Sequence, residues 1–144
     1  MKIFKRIFVF LLIISLLFIP FAVYSETVSA REIEELSHNF FRLHIRANSD
    51  SEEDQALKLK VRDDILAYTT KLLSSCADKT EAMKLVSANT EKIEQIAKKR
   101  IVAEGYKYGA HASVRREYFE RREYDGFFLP AGEYDSLIVE LGSG

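Results

Sequence analysis

The sequence predicts an α+β domain in the order β-α-α-β-β, with two helices packed on a small, mostly antiparallel sheet and an N-terminal signal or anchor segment ahead of it. Three observations carry this reading. Residues 40–47 alternate between apolar and polar, residues 52–104 place apolar side chains at helical spacing, and after Gly105 the alternation returns and continues to Leu141. Strand periodicity on both sides of a helical block is the pattern of a sheet with its helices gathered on one face.

The chain begins with the basic residues Lys2, Lys5 and Arg6, followed by residues 7–24, which are apolar apart from Ser15 and Pro20. A basic start and an apolar run mark an export or membrane signal. The run barely reaches the ~20 residues that span a bilayer. Pro20 separates it from a stretch in which Val23-Tyr24-Ser25 and Val28-Ser29-Ala30 set small residues where a signal peptidase needs them. Residues 1–25 are therefore read as a signal peptide, with an uncleaved anchor as the alternative, and the charges ahead of the run send the rest of the chain across the membrane. Residues 26–39 are a charged lead-in with Ile33 and Leu36 as its strong apolar positions, and the domain proper is residues 40–144.

In the first strand Phe41, Leu43 and Ile45 share one face, and Arg42, His44 and Arg46 the other. From Glu52 the period becomes helical: Leu57, Val61, Ile65, Tyr68 and Leu72 form a stripe that Leu66 and Leu73 widen. Asp50, Glu52, Glu53 and Asp54 suit the positive end of this helix and Lys71 its negative end. A second helical region covers residues 79–104, with a break expected at 87–89 and Met83, Val86, Ile93, Ile96, Ala97 and Ile101 as core candidates; Gly105 stops it. Tyr106, Tyr108, Ala110, Ala112 and Val114 then alternate with polar residues. Asp125-Gly126 signals a hairpin turn, residues 127–129 a short strand, Pro130-Ala131-Gly132 a tight turn and residues 134–141 the final strand.

Of the 21 basic residues three lie in the signal, while all 22 acidic residues lie beyond it, so the domain is mildly acidic. Nucleic-acid binding asks for the opposite balance. Cys76 is the single cysteine, which rules out an intrachain disulfide, and no thiol lies near the apolar run to accept a lipid. There is no G-x-S-x-G, H-E-x-x-H, C-x-x-C or phosphate-binding glycine loop, and His38, His44 and His111 are scattered without a second histidine at ligand spacing. No catalytic residue, metal or cofactor is read from the chain.

Residues 48–54 invite a calcium reading, because Asn48, Asp50, Glu52 and Asp54 alternate. An EF-hand loop needs glycine at its sixth position, and Glu53 stands there. The run reads instead as helix capping, with Ser51 as N-cap and Asp54 placed to answer back to it. Arg115, Arg116, Arg121 and Arg122 are interleaved with Glu117, Glu120 and Glu123, which makes a solvated hairpin face rather than an anion patch. The tyrosines beyond residue 105 outnumber what a core requires, so a protein-binding sheet surface is an open reading.

Two blocks carry a family resemblance. Ala47-Asn48-Ser49-Asp50-Ser51 with Glu53-Asp54-Gln55-Ala56-Leu57-Lys58-Leu59-Lys60-Val61-Arg62-Asp63, and then Leu129-Pro130-Ala131-Gly132-Glu133-Tyr134 with Leu137, Val139 and Gly142, resemble the signature of the stage II sporulation protein R family over residues 40–144. The resemblance implies a signalling protein, not an enzyme. It would be exported from the forespore into the space between the two sporulation membranes, where it triggers a membrane-embedded aspartic protease that processes pro-sigma-E in the mother cell. Motif membership implies partner contacts at Asn48, Ser49, Asp50, Asp54, Arg62, Glu133 and Tyr134. The family pattern runs on past Gly142 into a segment with paired tryptophans, cysteines and prolines. This sequence ends at Gly144 without tryptophan, so the domain is expected to be C-terminally incomplete and its last strand to lack a hairpin partner. Two other classes remain open: a secreted or membrane-tethered envelope-binding module, and an envelope hydrolase using a carboxylate pair such as Asp50 and Glu133.

Overall fold

The computed structural model describes Glu35 and residues 39–124 and 127–144. The expected signal, nearly all of the lead-in, and the Asp125-Gly126 turn lie outside the described residues. The chain divides into two compact units, Met1–Leu36 and Ser37–Gly144, and the elements that follow belong to the second. They are β1 (Phe41–Arg46), α1 (Glu52–Leu72), α2 (Lys79–Ser87), α3 (Thr90–Ala103), β2 (Ala110–Phe119), β3 (Arg122–Tyr124), β4 (Phe127–Leu129) and β5 (Gly132–Leu141). No helix among the described residues is long and apolar enough to cross a membrane.

The protein is α+β, with three helices on a small mixed sheet. The second helical region is two helices, divided at the break expected from sequence. Asn89 fixes the division: its Nδ2 donates to the Leu85 carbonyl (2.8 Å) and its Oδ1 accepts from the Tyr68 hydroxyl of α1 (2.9 Å). Ser51 caps α1 by accepting the Asp54 N–H at 3.2 Å, and Asp78 caps α2 by accepting the Glu81 N–H at 2.9 Å. Gly105, at φ +89°, ends α3 in a Schellman turn in which the Tyr106 N–H reaches the Ile101 carbonyl and the Gly105 N–H the Val102 carbonyl, each at 3.0 Å.

The sheet order is β1-β5-β2, and β3 and β4 form a separate antiparallel pair. β2 runs antiparallel to β5 from Ala110↔Leu141 to Phe119↔Gly132, whereas β1 runs parallel to it from Phe41↔Asp135 to Arg46↔Glu140. The sequence offers no following hairpin partner for the last strand, yet β5 is the central strand, paired on both sides. A parallel partner reached through a helical crossover leaves no hairpin signal in the sequence.

On the helix side, Ile45, Ala112, Leu137, Val139 and Leu141 pack with Leu57, Val61, Ile65, Val86, Ile93, Ala97 and Ile101 into one core. The α1 stripe continues through Thr69, whose hydroxyl donates to the Ile65 carbonyl at 2.8 Å. Leu66, expected to widen that stripe, is 43% exposed. On the other side of β5, Tyr134, Ser136 and Ile138 are also fully buried. There Arg42 lays its guanidinium 4.0 Å from the Phe119 ring centre and 5.0 Å from that of Tyr134, and Phe119 meets Tyr134 edge-on. Arg46 pairs with Glu117 and Glu140, and Arg115 with Glu140 at 3.0 Å, on the same side. A strand covered on both faces reads as a nearly continuous apolar run, which residues 137–139 are.

Candidate functional site

The junction between β1 and α1 is built around one carboxylate. Asp54, buried in the first turn of α1, accepts at Oδ2 from the Ser49 hydroxyl (2.6 Å) and the Asn48 amide (3.0 Å), and at Oδ1 from the Tyr108 hydroxyl (2.6 Å). The capping side chain expected to answer back to Ser51 thus turns mainly to the loop before it and to the approach of β2. Ser49 also holds the loop's shape, its Oγ accepting the Ser51 N–H and its carbonyl accepting from Gln55 Nε2.

The C-terminal turn closes on the same junction. Asn48 Oδ1 accepts the Ser143 N–H at 3.1 Å, the Ser143 hydroxyl donates to the Asn48 carbonyl at 3.1 Å, and the Gly142 N–H reaches the Gly109 carbonyl at 2.9 Å. Gly142 sits at φ +64°, and a Cβ there would strike the Asn48 side chain, so backbone and packing both require glycine. Asn48 therefore joins the two resemblance-bearing blocks, one hand on Asp54 and the other on the Gly142 turn.

These hydrogen bonds set the local electrostatics. Donation from Ser49, then Tyr108 and Asn48, holds the Asp54 carboxyl below the usual carboxylate range. Burial, followed by the bond to Asp54, pushes the Tyr108 hydroxyl well above its ordinary value. With both oxygens engaged by protein donors, Asp54 braces the junction. Among the described residues no group of three or more His, Cys, Asp or Glu side chains could hold a metal ion.

The seven residues singled out by the motifs fall into three places. Asn48, Ser49, Asp50 and Asp54 gather at the junction, where Ser49 and Asp50 are exposed, Asn48 is half-buried and Asp54 is buried. Arg62 lies further along α1, exposed and paired with Asp63 at 2.8 Å. Glu133 and Tyr134 belong to the opposite end of β5. Glu133 is exposed and paired with Arg116 at 3.2 Å, whereas Tyr134 is fully buried, its hydroxyl donating to the Pro130 carbonyl at 2.8 Å. Ser49, Asp50, Arg62 and Glu133 are thus accessible at the surface, while Asp54 and Tyr134 shape it from beneath. The β1–β5 register sets Glu133 roughly 20 Å along the sheet from the strand end that leads to Asp50, well beyond the ~5–10 Å that separates a glycosidase carboxylate pair.

Sequence reasoning missed Tyr108, Gly109 and Ser143 as members of the junction. Tyr108 carried a signal as one of the alternating residues after Gly105, but nothing local tied it to a carboxylate 54 positions away. His44 lies on the polar face of β1, where the alternation suggests exposure. It is half-buried, 3.3 Å from Glu117 and packed on Phe119, and burial lowers its basicity despite the carboxylate beside it.

Fold and site together define a small α+β domain in which a strand-to-helix loop and a C-terminal turn are cross-braced through one asparagine and one buried carboxylate. Residues 37–144 match the family model described as stage II sporulation protein R, and the chain belongs to that family. It is 32% identical over 103 residues to the stage II sporulation protein R of Bacillus subtilis (strain 168), an alignment covering 72% of this chain and 46% of that protein. The chain thus spans less than half the length of the curated relative it matches. No solved structure matches it.

Proposed function

We propose that this chain is an exported forespore signal that activates a membrane-embedded aspartic protease, and so brings about the processing of pro-sigma-E in the mother cell during sporulation. The observation that carries the reading is the family match across residues 37–144, with the two signature blocks meeting in one intact brace at Asn48. The basic and apolar start of the sequence fits export. A messenger of this kind works by contact. Its requirements are a rigid domain and an accessible surface, which the exposed Ser49, Asp50, Arg62 and Glu133 supply.

Deleting the gene and following pro-sigma-E by immunoblot through sporulation tests the role. Unprocessed pro-sigma-E should accumulate and return to normal when the wild-type gene is restored. Normal processing in a deletion strain that has no second copy of the gene contradicts it.

A further inference from the structure

Beside β1 the surface opens into a groove of about 350 Å³. One wall is four consecutive residues of β1, Arg42 to Ile45, another is the exposed flank of α1, and the third is β3. Because the sheet order is β1-β5-β2, the edge of β1 away from β5 has no strand neighbour among the described residues. A strand pairs through alternate residues on each side, so about half of the β1 backbone N–H and C=O groups point towards this groove.

Charge tells what could lie there. Arg42, Lys58, Arg62 and Arg122 line the groove, and no aspartate or glutamate does. The domain as a whole is mildly acidic, so this concentration runs against its average. Arg62 has Asp63 beside it, but Lys58 and Arg122 pair with no described carboxylate. Arg42 Nη1 is buried with no hydrogen-bond partner, its guanidinium lying over Phe119 and Tyr134. Leu59 and Leu66, 46% and 43% exposed, supply an apolar strip between the cations. Free edge, cations and apolar strip are together the requirements of an extended acidic peptide that presents both carboxylates and apolar side chains on the face towards α1.

We propose that this groove takes an extended acidic segment of a protein partner, added to the free edge of β1 as a fourth strand. Lys58, Arg62 and Arg122 receive its carboxylates, and Leu59 and Leu66 its apolar side chains. An anionic lipid headgroup would use the cations but has no use for a strand edge, and four consecutive edge residues in the lining favour the peptide. The inference draws on the proposed signalling role only for the identity of the partner, which would be an extracytoplasmic segment of the protease; the groove stands on its own geometry.

The test uses the full 144-residue chain purified in mild detergent and a fluorescent octapeptide of two Glu-Glu-Val-Val repeats, which sets both residue types on each face of the strand, read by anisotropy. The octapeptide should bind. Binding should weaken by at least about ten-fold when Lys replaces Glu in the peptide, and by as much when every peptide amide is N-methylated, which keeps the charge and removes the ladder. The double variant Arg62→Glu/Arg122→Glu should lose the octapeptide with unchanged circular dichroism, and Arg62→Lys/Arg122→Lys should keep it. No binding by the wild-type chain overturns the proposal, as does equal binding of the N-methylated peptide. Displacement by short-chain phosphatidylglycerol at lower concentration than by unlabelled octapeptide overturns it in favour of a lipid site. Pro-sigma-E processing separates this proposal from the signalling role. Full processing with both wild-type and Arg62→Glu/Arg122→Glu chains overturns the groove and leaves the role standing. Failure of the wild-type chain to trigger processing overturns the role and leaves the peptide measurement to judge the groove.

Discussion

Asp54 stands at the first helical turn, where a carboxylate is favoured by the helix dipole, yet its hydrogen bonds lead away from the helix to Asn48, Ser49 and Tyr108. The cap at Ser51 was legible because capping is a local rule of spacing; the tie to Tyr108 was not, because it depends on where β2 starts after the helices have packed. The consequence for acid stability follows from the sign of the shifts. Asp54, Asp64, Glu104 and Glu140 are all held below the usual carboxylate range, the last three mainly by Arg100, Lys60 and Arg115 respectively. As pH falls through about 4 the unfolded chain takes up protons that the folded chain still refuses, so stability is present above that range and is lost below it. Urea midpoints measured between pH 6 and pH 3 should fall steeply at the acid end, and Asp54→Asn, less stable at neutral pH, should show a shallower fall. Gly142→Ala tests the other arm of the brace. Left-handed backbone alone costs a non-glycine residue about 1–2 kcal/mol, and the collision with Asn48 adds to it, so the urea midpoint should drop more than for a Gly109→Ala control, where a Cβ meets nothing.

At the scale of elements, the boundaries of α1, the break between α2 and α3 and the stop at Gly105 were all readable, since each rests on periodicity or on a residue type with one conformational use. Strand pairing was harder. β5 carries apolar side chains on both faces, a pattern that tells of a central strand, but the hairpin logic of sequence reading looked for a following partner and found none. Its partner β1 lies 94 residues upstream at Arg46↔Glu140. Leu66 was placed in the core by period alone, although its arc of α1 faces the groove and stays open. Ile138→Ala, on the side of β5 away from the helices, should therefore cost about 2–5 kcal/mol in urea unfolding, as a core truncation does. Leu59→Ala, on the open flank of α1, should stay within about 0.5 kcal/mol. Equal effects of the two would mean that the second face of β5 is not the buried surface described.

At the scale of the molecule, residues 37–144 form a braced domain whose signature residues serve the fold first: Asn48, Asp54, Gly142 and Tyr134 hold loops in place, and the exposed motif residues lie beside them. That division explains how motif membership can name a family while several of the motif residues lie beneath the surface, out of a partner's reach. Reconstitution tests whether the domain, as proposed, acts by contact after export. The full chain, the membrane-embedded protease and pro-sigma-E are made together in vegetative cells, which lack the rest of the sporulation programme, and the processed fraction is followed by immunoblot. Processing that appears with all three, and is absent when this chain is withheld or when it is retained in the cytoplasm by removal of residues 1–25, is the predicted result. Processing that is unaffected by withholding the chain, or that proceeds equally with the cytoplasmic form, would contradict the account.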